Sequence, residues 1–443
     1  MMNLPKEFED KMKKLLDKDY DKFLYSYNNE RYYALRVNTL KVLEENIDSV
    51  LEMVHIADKK VVEWADNAFY YDESHKPGKS IYHEMGLYYI QEPSAMSAAA
   101  MLRPKPGMRV LDLCAAPGGK STQLASFLQG KGLLVCNEIN PQRSKVLSSN
   151  IERMGVTNAI VVNEDSYKLA QKYPGFFHAI QVDAPCSGEG MFRKMPEAID
   201  EWSMENVLSC AKRQLEILNN AAIMLQPGGT IVYSTCTFSK EENEDVIEAF
   251  LQEHEDFVLD KQERFWPHEK KGEGHFCARL VSNHDLKIDN FPVKSSKLTK
   301  DKQKLLVDFL NNSLSTEKAQ WILNGDLRLF KEQLYRLPDE NIDINGIKVL
   351  RAGLHIGEFK KNRFEPSHSL ALALDKKDVI RKFDIDVDSR YAKSFFEGES
   401  IQAQCENGWT LMMINGYSAG WAKASNNMLK NHYPKGLRKS CNI

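Results

Sequence analysis

Arg109-Val110-Leu111-Asp112-Leu113-Cys114-Ala115-Ala116-Pro117-Gly118-Gly119-Lys120 is the stretch from which the fold can be read. It begins as a short apolar strand and breaks into small residues and glycines. It then runs into Ser121-Thr122-Gln123-Leu124-Ala125-Ser126-Phe127-Leu128, which suits a helix. The unit recurs downstream. Residues 132–139, 159–165, 178–184 and 230–236 read as four more buried strands. Asn140 is placed to cap a helix, with Pro141 in its first turn and Gly155 as its stop. Strands alternating with helices predict a parallel, doubly wound α/β sheet, which binds ligands at the carboxyl ends of its strands.

Around this unit the chain has the composition of an ordinary globular protein. It has 443 residues, 42% apolar and 27% charged, so two to four domains are expected. Formal net charge is −3, so any nucleic-acid binding must rest on local positive patches. Candidates are Lys294, Lys297, Lys300, Lys302 and Lys304, then Lys360, Lys361 and Arg363, then Lys435, Arg438 and Lys439. The eight cysteines form no CxxC and no Cys/His ladder, which argues against a disulfide framework or a metal site. The start resembles no signal peptide and no apolar run is long enough to span a membrane, so a cytoplasmic location is expected. Residues 6–16 suit an amphipathic helix, residues 283–304 a polar linker and 305–345 a helical stretch. From about 347 the pattern is strand-like, with Gly408, Gly416 and Gly420 at turn spacing.

The glycine-rich loop narrows the ligand. It is neither GxGxxG nor a P-loop. Small residues let a ligand approach the backbone, and the free N–H groups of the following helix suit the carboxylate of S-adenosylmethionine as well as a phosphate. Glu138, at the end of the second strand, can hold ribose hydroxyls, Asp165 the adenine amino group, and Asp183 closes the fourth strand. One such carboxylate alone would more often be a helix cap. Three at successive strand ends favour a site.

Two cysteines follow strands at the same sheet edge: Cys186 in Asp183-Ala184-Pro185-Cys186, and Cys236 in Ser234-Thr235-Cys236-Thr237. Carbon-5 of cytosine is a poor nucleophile. A thiolate adding to carbon-6 activates it, and the thiolate is expelled after methyl transfer. Such a reaction needs an ionised cysteine and an acid or hydrogen-bonding group at the ring nitrogen, for which Asp183 is the candidate. N-methylating enzymes would carry an Asn/Asp-Pro-Pro-aromatic turn where this chain has Asp-Ala-Pro-Cys. Spacing alone does not decide which cysteine attacks.

Five ordered blocks resemble the RNA (cytosine-5)-methyltransferases related to bacterial RsmB and RsmF: residues 35–40, 91–96, 112–125, 182–194 and 233–247. The resemblance implies a Rossmann-like class I S-adenosylmethionine-dependent methyltransferase domain at 106–282. It implies Cys236 as nucleophile and Cys186 as the group that helps release the product. Cofactor contacts are implied from Cys114, Ala115, Ala116, Pro117, Gly118, Gly119, Lys120, Glu138, Asp165 and Asp183. Residues 353–358, 363–368, 420–421 and 432–438 are similar to the tail of the RsmF branch, a β-rich PUA-like RNA-binding module, here 347–443. The domains expected are then an N-terminal α+β accessory domain (1–105), the catalytic domain, a linker and helical segment (283–346), and the PUA-like domain. The substrate implied is a cytidine of 16S ribosomal RNA near the decoding region, in the 30S subunit or its RNA. A monomer is expected, because one chain carries both the catalytic domain and candidate RNA-binding modules. The alternatives are the same chemistry on transfer RNA, or a non-catalytic RNA-binding assembly factor. Tyr25, Tyr27, Tyr32 and Tyr33, and Arg193 with Lys194, offer rings and charges for RNA; domain packing is the competing use of the tyrosines.

Overall fold

A computed structural model describes residues 4–283, 298–340 and 342–438. Pro292, Lys294, Lys297, Lys439 and Cys441 therefore lie outside the described residues.

The amphipathic stretch Lys6–Leu16 is a helix that buries Phe8 and Met12. Three antiparallel strands follow, β1 (Tyr33–Val37), β2 (Ala68–Tyr71) and β3 (Tyr88–Ile90), in the order β2-β1-β3.

The central sheet starts with β4 (Arg109–Asp112), β5 (Leu133–Asn137), β6 (Ala159–Val162), β7 (Phe177–Asp183) and β8 (Leu225–Thr235). All five run parallel, as expected from their continuous apolar runs. Two more strands, β9 (Phe257–Phe265) and β10 (His275–Ser282), extend it, with β10 antiparallel to β8. An eighth, β13 (Val349–Ala352), pairs antiparallel with β6 at the far edge. The order is β13-β6-β5-β4-β7-β8-β10-β9. The chain leaves β4 to one side for β5 and returns on the other for β7. The crevice where such a sheet binds its ligand therefore opens at the carboxyl end of β4. Asn140 caps the helix Pro141–Arg153, its side chain accepting from the N–H groups of Gln142 and Arg143.

The C-terminal part departs from the sequence reading in one place. The stretch expected to be helical holds two helices, Lys300–Ser313 and Thr316–Leu323, but then a hairpin of β11 (Leu327–Phe330) and β12 (Gln333–Arg336). Its turn passes through Lys331 at φ 58. No glycine or asparagine announces that turn, and the helical pattern upstream masked it. The hairpin joins β14 (Leu354–Lys360) and β15 (Arg363–Pro366) in one sheet, β11-β12-β14-β15, so hydrogen bonds cross the expected boundary at 346/347.

The last sheet contains β16 (Lys382–Ile385), β17 (Ile401–Gln402), β18 (Gly408–Ile414), β19 (Tyr417–Ser425) and β20 (Met428–Asn431), in the order β16-β18-β19-β20-β17. Asn415 and Gly416, at φ 48 and 82, form the two-residue turn between β18 and β19. Both positions need positive φ, which Asn-Gly supplies. No helix among the described residues is long and apolar enough to cross a membrane.

The first and last domains share a core. Leu35, Val50, Leu51 and Met85 pack with Phe395, Phe396, Met412 and Ile414. The N-terminal domain is also fastened to the catalytic one. Asn38 Nδ2 donates to the carbonyls of Gly86 and Met154 at 2.8 and 2.9 Å. Gly86 has φ 70, and a Cβ there would stand 1.9 Å from the Arg153 carbonyl oxygen. Gly86→Ala combines left-handed strain of about 1–2 kcal/mol with a backbone collision, and is expected to destabilise the protein by at least about 2 kcal/mol. Urea unfolding should show the loss as a lower midpoint.

Candidate active site

Because β7 and β8 are parallel neighbours, with Asp183 opposite Ser234, the loops that follow them leave the sheet side by side. Cys186 and Cys236 are brought together on those loops, Sγ to Sγ 3.2 Å, both half-buried and both free. Gly190 N–H donates to the Cys236 carbonyl at 2.8 Å. A Cβ on Gly190 would stand 2.9 Å from that oxygen and 3.0 Å from the Gly274 carbonyl, so the loops meet only around glycine.

Two buried carboxylates brace this meeting, and the sequence reading missed both. Glu242 accepts from Ser187 N–H at 2.9 Å and from Gln214 Nε2 at 2.8 Å, and binds the Ser187 hydroxyl. Glu189 accepts from Phe238 N–H at 2.9 Å, the Ser239 hydroxyl at 2.7 Å, Trp202 Nε1 at 3.0 Å and Lys11 Nζ at 3.2 Å. Each acid follows one cysteine in sequence and reaches the other cysteine's loop. Glu189 had a signal, an acid among the small and apolar residues of Ser187-Gly188-Glu189-Gly190-Met191-Phe192, whereas Glu242 stands in the charged run Lys240-Glu241-Glu242-Asn243-Glu244-Asp245 and had none.

Asp183 sits beside the thiols. Its Oδ2 is 2.9 Å from Lys120 Nζ, and its Oδ1 accepts from the Ser234 hydroxyl at 2.9 Å, with His275 Nε2 at 3.7 Å. Burial works against ionisation of Asp183, but Lys120, with the hydroxyl of Ser234, outweighs it and holds the carboxyl below its usual range. Lys120 answers in kind. Burial disfavours its charge, and Asp183 outweighs burial and holds the ammonium above its usual range. His275 is pushed down to about 3 by burial and by Lys120, so it stays neutral. For Cys186 the hydrogen bond with Cys236 comes first and burial second, and both push the thiol well up.

The cofactor-loop residues line the crevice at β4. Gly118, at φ 115, stands just before the helix Gly119–Leu128, whose first N–H groups face the loop. Ala115, Ala116, Gly118 and Gly119 are buried, Cys114 is half-buried and Pro117 exposed. Below them Asp112 accepts from the Ser121 hydroxyl at 2.6 Å, and burial pushes its carboxyl up to about 7. Glu138, 3% exposed, accepts from Asn140 N–H at 2.8 Å. Ile139 beside it is 63% exposed, an apolar surface the sequence reading did not single out. Asp165 is exposed and caps the next helix, accepting from Tyr167 N–H at 2.8 Å, so half of its carboxylate serves that cap. Helix N–H groups for a carboxylate, Glu138 for a diol and Ile139 for a flat ring suit S-adenosylmethionine in its three chemical parts.

Arg193 does not face outward. Its side chain is 6% exposed, donates to Glu273 at 2.8 Å and to the Ser26 carbonyl at 2.8 Å, and ties the catalytic loop to the N-terminal helices. Tyr27 is half-buried against Phe23, while Tyr32 and Tyr33 pair with Tyr70 and Tyr71 across the N-terminal sheet.

Four family models match in sequence order. They are the N-terminal domain of 16S rRNA methyltransferase RsmF (4–93), 16S rRNA methyltransferase RsmB/F (99–281), the RsmF first C-terminal domain (308–374) and the RsmF PUA domain (382–439). The ribosomal RNA small subunit methyltransferase F of Vibrio vulnificus (strain YJ016) is 34% identical over 99% of this chain and 98% of its own. The chain belongs to the RsmB/RsmF family. It is an S-adenosylmethionine-dependent RNA methyltransferase of the class I fold. The protein of the same name from Aeromonas salmonicida (strain A449) is 32% identical over 96% of this chain and 94% of its own. A methyltransferase homolog from Pyrococcus horikoshii superimposes with a TM-score of 0.54 at 27% identity, covering 63% of this chain and 96% of that one.

The Asp183–Lys120 pair carries a pH prediction. Asp183 has its carboxyl depressed, so its pairing is present above the ordinary carboxylate range and is lost only as pH falls through the lowered value. Lys120→Met removes the charge that offsets burial, so the Asp183 carboxyl rises. The acid limb of the rate profile should then move toward neutral pH, measured as kcat against pH for both proteins.

Proposed function

We propose that this enzyme methylates carbon-5 of a cytidine in 16S ribosomal RNA near the decoding region, through a covalent adduct with Cys236. The observation that carries the reading is the pair of free thiols 3.2 Å apart beside an ionised Asp183–Lys120 pair. Cys186, its thiol pushed up, keeps its proton and can donate it to the Cys236 sulfur; Lys120 adds positive charge nearby.

Cys236 adds to carbon-6 and carbon-5 becomes nucleophilic. S-adenosylmethionine, when bound, supplies the methyl group as an electrophile. As the sulfur–carbon-6 bond forms, electrons of the ring double bond shift toward the ring nitrogen, which takes a proton from water, and Asp183, held as a carboxylate, accepts hydrogen bonds from that N–H and from the exocyclic amino group. Loss of the carbon-5 proton then expels Cys236. Cys186, in contact with the leaving sulfur, assists release. The cofactor is held by the loop Cys114–Lys120 with Glu138 at the ribose and Asp165 toward the adenine. The target base must leave its stack to reach the thiols, at a cost of a few kcal/mol. In this reading 1–105 and 347–443 hold RNA around a catalytic domain at 106–282, with 283–346 joining them. One chain suffices, since it carries both the catalytic and the RNA-holding parts.

Two substitutions separate the cysteines. Cys236→Ala should abolish transfer of labelled methyl to 16S rRNA or 30S subunits, while Cys186→Ser should accumulate a protein–RNA adduct on denaturing gels. An adduct with the Cys236→Ala protein would reverse the assignment. Label on transfer RNA alone would move the substrate and keep the chemistry.

A further inference from the structure

The sheet β16-β18-β19-β20-β17 is covered on both faces. Ala422, Ala424 and Leu429 point toward the N-terminal domain, and Leu411, Met413 and Trp421 pack with Phe309, Phe364 and their neighbours. Strand alternation puts Trp409, Lys423, Lys430 and His432 on the second face. Lys423, Lys430 and His432 are exposed, and Trp409 is half-buried.

Register sets Trp409 opposite Lys423, and Lys423 opposite Lys430. Lys423 Nζ lies 5.4 Å over the Trp409 ring, and the His432 ring meets Trp409 edge-on at 4.5 Å. Arg363, from β15, stands within electrostatic reach of His432 along with Glu365. Glu365 is already paired with Arg363 at 2.8 Å. Among the described residues neither lysine has an ion-pair partner.

Two like charges directly opposite on neighbouring strands destabilise a sheet. An anion between them turns the repulsion into attraction. An aromatic ring next to unpaired cations is also the combination that holds single-stranded nucleic acid, with bases on the ring and phosphates on the charges. We propose that Trp409, Lys423 and Lys430, flanked by His432 and Arg363, form a ledge for single-stranded RNA outside the target site. One phosphate bridges the two lysines, and an unpaired base stacks on the exposed part of Trp409. This rests on the reading of the protein as an RNA methyltransferase and adds where substrate RNA is gripped.

The test uses the full chain, a fluorescent single-stranded oligoribonucleotide and transcribed 16S rRNA. In Lys423→Gln/Lys430→Gln, RNA affinity should fall about tenfold, and the slope of log affinity against log salt should flatten by about 0.7, the value for the one lost phosphate contact. KM for RNA should rise with kcat unchanged, because the grip is the same in ground and transition states. Melting temperature should hold or increase, since a like-charge pair is relieved. A structural role would lower it. Trp409→Leu should weaken binding without changing the slope. A folded double variant with wild-type affinity and slope overturns the proposal and leaves the lysines to an acidic protein surface. The binding readout is independent of catalysis. A wild-type protein that binds with the expected slope but transfers no methyl group to rRNA would sink the proposed function and keep the ledge.

Discussion

The parallel pairing of β7 with β8 is the constraint on which the site depends. It sends two loops off the same edge of the sheet in the same direction, and so places two thiols 3.2 Å apart although they are fifty positions apart in the chain. Backbone pairing alone would leave those loops free to splay. Glu189 and Glu242 prevent it, each buried on one loop and each satisfied by donors from the other. A buried carboxylate is costly unless its oxygens are occupied, so these acids hold one arrangement of the loops rather than several.

The same edge concentrates charge. Lys120 and Asp183 are drawn out of water together, each keeping the other ionised against burial. On β10, beyond β8, His275 stays neutral because burial first and the nearby ammonium second disfavour its charge, and this leaves Asp183 as the anion beside Lys120. Lys120 comes from the glycine-rich loop, so the cofactor crevice and the thiol pair share one side chain. Around them the chain closes on itself. The first domain packs against the last, and both contact the catalytic sheet, through Asn38 and Gly86 on one side and β13 on the other.

Much of the catalytic fold was legible. Five apolar runs became the five parallel strands, and Asn140 with Pro141 marked a helix start, because both signals are local. The hairpin at 327–336 was not legible, since its turn uses Lys331 in place of glycine or asparagine. The addition of β13 to the catalytic sheet was hidden for another reason. Its partner β6 lies almost two hundred positions earlier, and no pattern within a four-residue strand names its neighbour.

By itself the sequence determined the class of fold and named the candidate residues of the site, because strand periodicity, the glycine-rich loop and the two cysteine motifs are written in consecutive residues. Tertiary structure decided how those residues share the work. It left Asp165 exposed as a helix cap, set Lys120 against Asp183, and turned Arg193 inward to Glu273. It gave Cys186 the proton-keeping environment, which depends on the distance to Cys236 and on burial. Burial and the distances between charges belong to packing, and no stretch of sequence carries them.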